Sequence, residues 1–518
     1  MFKELIKKIE KNKYFYLFLF FSIFLGIFLR IYVFLQQYSL EGDECSLAIN
    51  ILKQKTFHEL IFTPLYWFNQ AAPVGFMVIS KCFSNIWGIN ESALRIFPLL
   101  SGIFSIFLFY FFAKDYLSSK SLLFSVFIFA VSGSLVSYSV FFKPYSVDVM
   151  AILIIFIMAK YFLNKEIISM FIPSLLGLLL VWLSYPVVFV LASVGIYYGF
   201  VYFYKKQKIN LLRLSTVCYI WLVSFLISSV FAYSNFLRSK DYFLWYWKDY
   251  FMPVPPDWNW FLLALSQLCN TTFQSVFHSS ILMYLLIITG AGLCIFQKKE
   301  KSVLLVLPII FTLAASCIKA YPFGDRLILF LAPIVIIFVA KNLEYLNYFD
   351  KFIKNNIIKN GLVLLISAII LFQIPFNTKN YFHIRTNIKI NDFLVFIEQN
   401  MEKTDYIYLT PYDKGYFIID NELHNRNEKL YYGDKKIYSV DKKSLDYFKK
   451  DIETLKTQKT RIWFPFFATY NSKDYDRITF EQTIAFKKYL ESQKDLKLIK
   501  YMKDEKKGGE VYLYQTIK

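Results

Sequence analysis

The chain has 518 residues, a formal net charge of +20 and a composition that is 56% hydrophobic and 20% aromatic. Apolar runs long enough to cross a bilayer recur along it, which excludes an ordinary soluble domain and marks a polytopic α-helical membrane protein. Its lysines fall mostly between those runs or in the last third, as membrane topology requires, and no nucleic-acid-binding module accompanies them.

The first apolar run, 14–35, follows Lys3, Lys7, Lys8, Lys11 and Lys13, which hold the N-terminus in the cytoplasm. It is too long for a removable signal peptide and lacks the small-residue cleavage site of one. Beyond it comes Glu41-Gly42-Asp43-Glu44, so an acidic cluster emerges on the outer face and opens a long outer loop, 36–93. Charge at the lip of a membrane helix marks a candidate site; the plainer alternative is a solvated loop. Residues 73–88 are apolar but short for a span. Counting them as one would reverse the later loops and put Lys205-Lys206-Gln207-Lys208 outside, so they read as an amphipathic helix against the outer leaflet.

Further spans are expected at 94–112, 122–138, 147–163, 168–184, 186–203, 212–233, 280–296, 302–318, 326–340 and 359–375, about 11 in all with the first. Inner turns carry Lys114 to Lys120, Lys165, Lys205 to Lys208, Lys298-Lys299-Glu300-Lys301 and Lys341 to Lys359. Outer turns carry Phe142-Lys143-Pro144-Tyr145, Tyr185-Pro186 and the stretch from Tyr321 to Arg326. A second large outer loop, 234–278, holds the aromatic run 242–247 before Met252-Pro253-Val254-Pro255-Pro256. That run either covers a site and stacks on sugar or forms an interfacial aromatic belt. On this topology Asp43, Glu44, Lys143, Asp148, Asp325 and Arg326 share one membrane face, a segregation that random charges would not show.

At about 377 the composition changes, dividing the chain into a membrane module, 1–376, and a soluble extracytoplasmic domain, 377–518. Candidate strands 405–409, 436–440, 461–466, 496–501 and 510–514 alternate with helical patterns at 390–400, 445–455 and 480–492, which suggests a small α/β domain. Lys507-Gly508-Gly509-Glu510 reads as a turn before the last strand, not as a phosphate loop. The six cysteines show no CxxC or Cys/His ligand spacing. Cys45 and Cys82 would both be outside, as free thiols or as a disulfide. His58, His278, His383 and His424 are scattered.

Five motifs follow one another in order: Gly42-Asp43-Glu44, Gln70-Ala71-Ala72-Pro73, Gly88-Ile89-Asn90-Glu91-Ser92-Ala93-Leu94-Arg95, Lys143-Pro144-Tyr145-Ser146-Val147-Asp148 and Tyr321-Pro322-Phe323-Gly324-Asp325-Arg326. With the C-terminal α/β domain, they make most of the chain resemble the GT-C superfamily of glycosyltransferases. The match is to the bacterial branch related to protein O-mannosyltransferases and to the aminoarabinose transferase of lipid A. The resemblance implies transfer of a sugar from polyprenyl (undecaprenyl) phosphate to an acceptor hydroxyl on an envelope glycan, lipid A or protein. Transfer would invert the anomeric carbon, at the outer face of the bacterial inner membrane.

The same resemblance implies roles. Asp43 is the base that takes the acceptor proton, with Glu44 positioning it or tuning its pKa. Asp148 is a second acid, orienting the acceptor or helping to hold a metal. The leaving lipid phosphate needs cations: Arg326, whose planar fork can grip phosphate in two prongs, and Lys143, with Tyr321 and Tyr145 as hydroxyl donors. A divalent metal is an open expectation, with Asp43, Glu44 and His58, beside Glu59, as its ligands; some relatives use a metal and others do not. Where the aminoarabinose branch carries Glu-Lys-Pro, this chain reads Ala71-Ala72-Pro73, which argues against an aminoarabinose donor and any metal site built on that glutamate. Two other classes compete. A lipid-linked-sugar flippase or transporter should show mid-bilayer charges, paired repeats or helices broken in matching positions, and none stands out. A non-catalytic envelope assembly protein would not need charges gathered on one face.

Overall fold

The computed structural model describes residues 13–36, 39–40, 42–65, 71–159, 162, 168–273, 281–296, 302–345, 390–402, 404–409, 430–432, 444–457, 461–466, 477–503 and 509–517. The expected span at 359–375, strand 436–440, Gln70, Lys165, the lysines of 298–301, His278, His383 and His424 lie outside these residues. Two compact units divide the chain: Met1–Gln36, Lys53–Gly88 and Ser92–Phe382 in one, Gln37–Leu52, Ile89–Glu91 and His383–Lys518 in the other.

The helices run, in chain order, α1 (Lys13–Leu35), α2 (Gly42–Lys53), α3 (Phe57–Phe62), α4 (Val74–Trp87), α5 (Glu91–Ala113), α6 (Ser119–Val131), α7 (Gly133–Ser137), α8 (Tyr145–Met158), α9 (Ile168–Leu180), α10 (Val187–Tyr204), α11 (Lys208–Tyr246), α12 (Trp258–Phe273), α13 (Ile281–Phe296) and α14 (Val303–Cys317). A 3-10 stretch, Asp325–Leu331, then leads into α15 (Ala332–Tyr345). Each expected span up to 326–340 therefore has a helix in its place. Burial sorts them: 83% of the 325–344 window is buried but only 28% of the α1 window, so α15 forms the centre of the bundle and α1 its rim. The span expected at 122–138 is broken. Helix α6 stops at Val131, Ser132 is extended, and α7 resumes at 50°, the kind of kink a Ser-Gly pair permits.

The segment 234–278, expected as an outer loop, is largely helical. Helix α11 continues through Tyr246, and α12 buries Trp260, Ala264 and Leu268, four residues apart, against the bundle. Its polar residues and the prolines before it disguised that stripe as loop.

Contacts at the helix ends fit the expected alternation of sides. At one end, Lys341 Nζ donates to Tyr116 O (2.9 Å) and Ser118 N to the Glu344 carboxylate, joining two turns expected on the same side. At the opposite end, Ser146 Oγ donates to Pro98 O (2.9 Å), and Phe76 packs on Phe97 and Phe142 with ring centroids 5.9 and 5.5 Å apart. The first turn of α4 thus meets the first turns of α5.

In the second unit, β1 (Tyr406–Leu409), β2 (Leu430–Tyr432), β3 (Arg461–Phe466), β4 (Leu496–Lys503) and β5 (Glu510–Thr516) form one sheet in the order β2-β1-β3-β5-β4. β1 is parallel to β2 and β3, while β5 is antiparallel to β3 and β4. Alternation along the strands fills two layers. Ile407, Leu409, Trp463, Val511 and Leu513 pack with Phe393, Leu394 and Ile397 of α16 (Ile390–Asn400). Tyr408, Ile462, Phe464 and Tyr514 pack with Phe448 and Ile452 of α17 (Ser444–Lys456) and Phe486 and Leu490 of α18 (Arg477–Ser492). Only the short β2 had not been expected.

Candidate active site

One end of the first unit gathers the starts of α8 and α10 and the ends of α11 and α14. The segment that leaves α14 and carries Arg326 crosses this end and is pinned from two sides. Phe323 N donates to Tyr250 O (2.8 Å), and Ser316 Oγ joins Tyr250 O (3.1 Å) to Met252 N (2.9 Å). Gly324 lies so close to Tyr250 that a β-carbon there would sit 1.9 Å from the ring, so only glycine fits. Asp325 then takes a left-handed backbone, φ 47°, which is uncommon for a residue with a side chain. Helix α12 holds it there: Asp325 N donates to Gln267 Oε1 (3.0 Å), and Thr271 Oγ1 donates to Asp325 O (3.1 Å).

Arg326 follows this clamp. Its Nε donates to the Tyr145 hydroxyl oxygen (3.0 Å), and its guanidinium lies 5.7 Å from the centre of the Trp247 ring. Its Nη1 is 3.6 Å from the Asp325 carboxylate, with the arginine side chain 15% exposed and the aspartate 43%. A guanidinium held at Nε and stacked on an indole is pre-organised for an oxyanion. Tyr145 opens α8, its ring edge-on to Tyr138 at 5.1 Å, and its hydroxyl oxygen accepts from Arg326. Lys143, two residues earlier, is buried. Asp148, one turn into α8, is 6% exposed, and its Oδ1 has no hydrogen-bond partner among the described residues. Ser184 stands beside it. A buried carboxyl left incompletely paired needs a reason, and a catalytic or ligand-orienting role is one.

Tyr321 lies near Asp148 and Tyr145. Burial first, then those two groups, push its hydroxyl well above the usual 10.0, so it stays protonated. Its proton goes to Leu327 O (2.8 Å). Tyr321 therefore shapes the segment that carries Arg326.

Asp43 and Glu44 occupy the first turn of α2, where the positive end of the helix dipole favours carboxylates. Glu44 is fully buried and Asp43 partly exposed. They belong to the second unit, whereas Lys143, Tyr145, Asp148, Tyr321 and Arg326 belong to the first. His58 is exposed and packs on Phe62, with ring centroids 4.8 Å apart. Glu59 beside it is used as a helix cap: its carboxylate accepts from Thr56 N (3.1 Å) while Thr56 Oγ1 accepts from Glu59 N (3.1 Å). Among the described residues no three His, Cys, Asp or Glu side chains gather as a metal-ligand set. Cys45 and Cys82 are both free thiols.

No family model matches the chain, and no curated protein matches it. Solved structures do. The apo form of ArnT from Cupriavidus metallidurans aligns with a TM-score of 0.55 over 97% of this chain and 98% of its own, at 9% identity. The same protein bound to undecaprenyl phosphate aligns at 0.52 over 98% of each chain, at 8% identity. The archaeal oligosaccharyltransferase AglB from Archaeoglobus fulgidus, in complex with an inhibitory peptide and a dolichol-phosphate, aligns at 0.50 over 88% of this chain and 69% of that one, at 11% identity. The chain shares its fold with ArnT and with AglB. At such identities the likeness is one of fold, and it is the fold the five motifs led us to expect.

Several contacts that build this end of the fold had escaped the sequence reading. Trp247 ends the aromatic run and is buried against Arg326, while Trp245 and Tyr246 stay exposed. Tyr185 had been read only as part of a turn. Its hydroxyl donates to Ala72 O (2.8 Å), and Gly75 N donates to Trp182 O (2.8 Å), which docks the Ala71-Ala72-Pro73 stretch onto the turn beside Asp148. Gln267 and Thr271 gave no signal beyond being polar residues spaced four apart in an apolar helix.

Proposed function

We propose that the chain is a membrane glycosyltransferase that moves a sugar from polyprenyl (undecaprenyl) phosphate to an acceptor hydroxyl on a cell-envelope glycan, lipid or protein, at the outer face of the inner membrane. The observation that carries this reading is the clamped, stacked Arg326 hydrogen-bonded to Tyr145, beside buried Lys143 and Asp148. It is supported by a fold shared with one protein solved with undecaprenyl phosphate and another solved with dolichol-phosphate.

In this reading Asp43 removes the acceptor proton as that oxygen attacks the anomeric carbon. The bond from that carbon to the phosphate oxygen breaks, with inversion, and its electron pair leaves on the lipid phosphate. Arg326 and Lys143 meet the growing charge, and Tyr145 adds a hydroxyl donor to the same phosphate. Asp148 orients the acceptor. Envelope extract supplies the acceptor for the test: purified chain in nanodiscs should move labelled sugar from a polyprenyl-phosphate donor into it, and Asp43→Asn should not. Passage of intact lipid-linked sugar across a bilayer with no transfer would replace this reading with a flippase.

A further inference from the structure

The first span carries a cation that the sequence reading passed over. Arg30 lies toward the C-terminal end of α1 and is 1% exposed. Its guanidinium stays charged, and a charge inside a membrane bundle is costly enough to need a purpose. Its Nη1 donates to Gly26 O (2.9 Å), one turn back, and to Ala130 O (2.9 Å). Gly26 permits this approach, because a β-carbon there would meet that of Ala130 at 2.8 Å. Ala130 lies in the last turn of α6, whose final carbonyls lose their helical partners where the span breaks at Ser132. Arg30 therefore caps that helix end with the charge its dipole favours.

From the break, two routes lead to the Tyr145–Arg326 bond. Along the chain, the segment after Ser132 runs to Tyr138, whose ring packs on Tyr145. Across the bundle, Ser132 Oγ donates to Thr272 O (2.6 Å), and the adjacent Thr271, with Gln267, clamps Asp325. Both partners of the bond thus hang from the break that Arg30 caps.

We propose that Arg30 is a positioning residue which, by capping the broken span, sets the register between Tyr145 and Arg326. Its effect on donor binding rests on reading Arg326 as a phosphate ligand; the register itself does not. The test uses the full chain in nanodiscs with Arg30→Met, Arg30→Lys and the charge-neutral Ser132→Ala. Hydrogen exchange of 138–147 and 321–327 is compared with that of α10 and α13, and undecaprenyl phosphate binding is measured alongside. Arg30→Met should speed exchange in both segments, leave α10 and α13 unchanged and weaken phosphate binding about tenfold. Arg30→Lys should restore most of the protection, and Ser132→Ala should loosen the same two segments. Exchange like wild type in both segments, or loosening spread evenly over the bundle, overturns the proposal. Should Arg30→Met fail to insert, Ser132→Ala decides by the same criteria. If both segments loosen but the wild-type chain binds no undecaprenyl phosphate, the positioning role stands and the proposed function falls.

Discussion

Replacing Arg326 separates a phosphate ligand from an interfacial anchor. Its Nε is held by Tyr145 and its plane by Trp247, so little further ordering is needed when an oxyanion arrives. Each charge-assisted hydrogen bond is worth about 1.5–3 kcal/mol, and a two-pronged grip less its desolvation about 3 kcal/mol, or roughly 10²-fold in affinity. Arg326→Ala should lose that much undecaprenyl phosphate binding in nanodiscs. Arg326→Lys keeps the charge but neither the fork nor the Nε bond, and should lose about tenfold. Tyr145→Phe removes one orienting hydrogen bond of about 1 kcal/mol and should lose about fivefold. The loss should be smaller in the Arg326→Ala background, because Tyr145 then has no guanidinium to orient and only its own hydroxyl to offer. The Asp325 pair is spaced at 3.6 Å with a half-exposed carboxylate, so Asp325→Asn should change binding by no more than about twofold. Arg326→Ala that binds and transfers like wild type would refute the reasoning: the arginine would be a snorkelling anchor, and Lys143 the cation to test.

Asp43→Asn should insert normally and bind donor normally, yet lose roughly 10²–10⁴ in turnover; near wild-type transfer would remove Asp43 as the base. Cysteine labelling should find positions 206 and 299 on the inner side and positions 43, 145 and those after 377 on the outer side, and labelling of 43 and 145 from opposite sides would break the one-sided site. In the second unit, burial opposes the charge of Glu510, but Lys487, Tyr512 and Lys503 outweigh it and hold its carboxyl below the ordinary 4.5. A carboxyl lowered on folding stabilises fully above its ordinary value and loses that contribution as pH falls through the folded one. The unit should therefore become sensitive to pepsin as the pH drops below 4.5, and Glu510→Gln should flatten that dependence; an unchanged acid profile would assign the loss to other groups.

What could be read from the sequence followed periodicity and charge placement. The spans, the amphipathic 74–87 helix and four of the five strands are patterns of neighbouring residues, and burial in a bilayer or a sheet enforces such patterns strongly. The five motifs likewise named Arg326, Tyr145 and Asp148 before any distance was known. What escaped acts through backbone groups of distant segments. Arg30 was one charge in an apolar run, and its partner is the carbonyl of Ala130, exposed only because the chain breaks two residues later. Gln267 and Thr271 hold the N–H and C=O of a left-handed Asp325. No glycine marks that conformation, because the glycine beside it, Gly324, is there to make room for Tyr250. Tyr321 misled for the same reason: its residue type suits a phosphate donor, but its proton is spent on the carbonyl of Leu327. A motif can nominate side chains for chemistry, but which of them keep a hydrogen to donate depends on backbone acceptors that no motif contains.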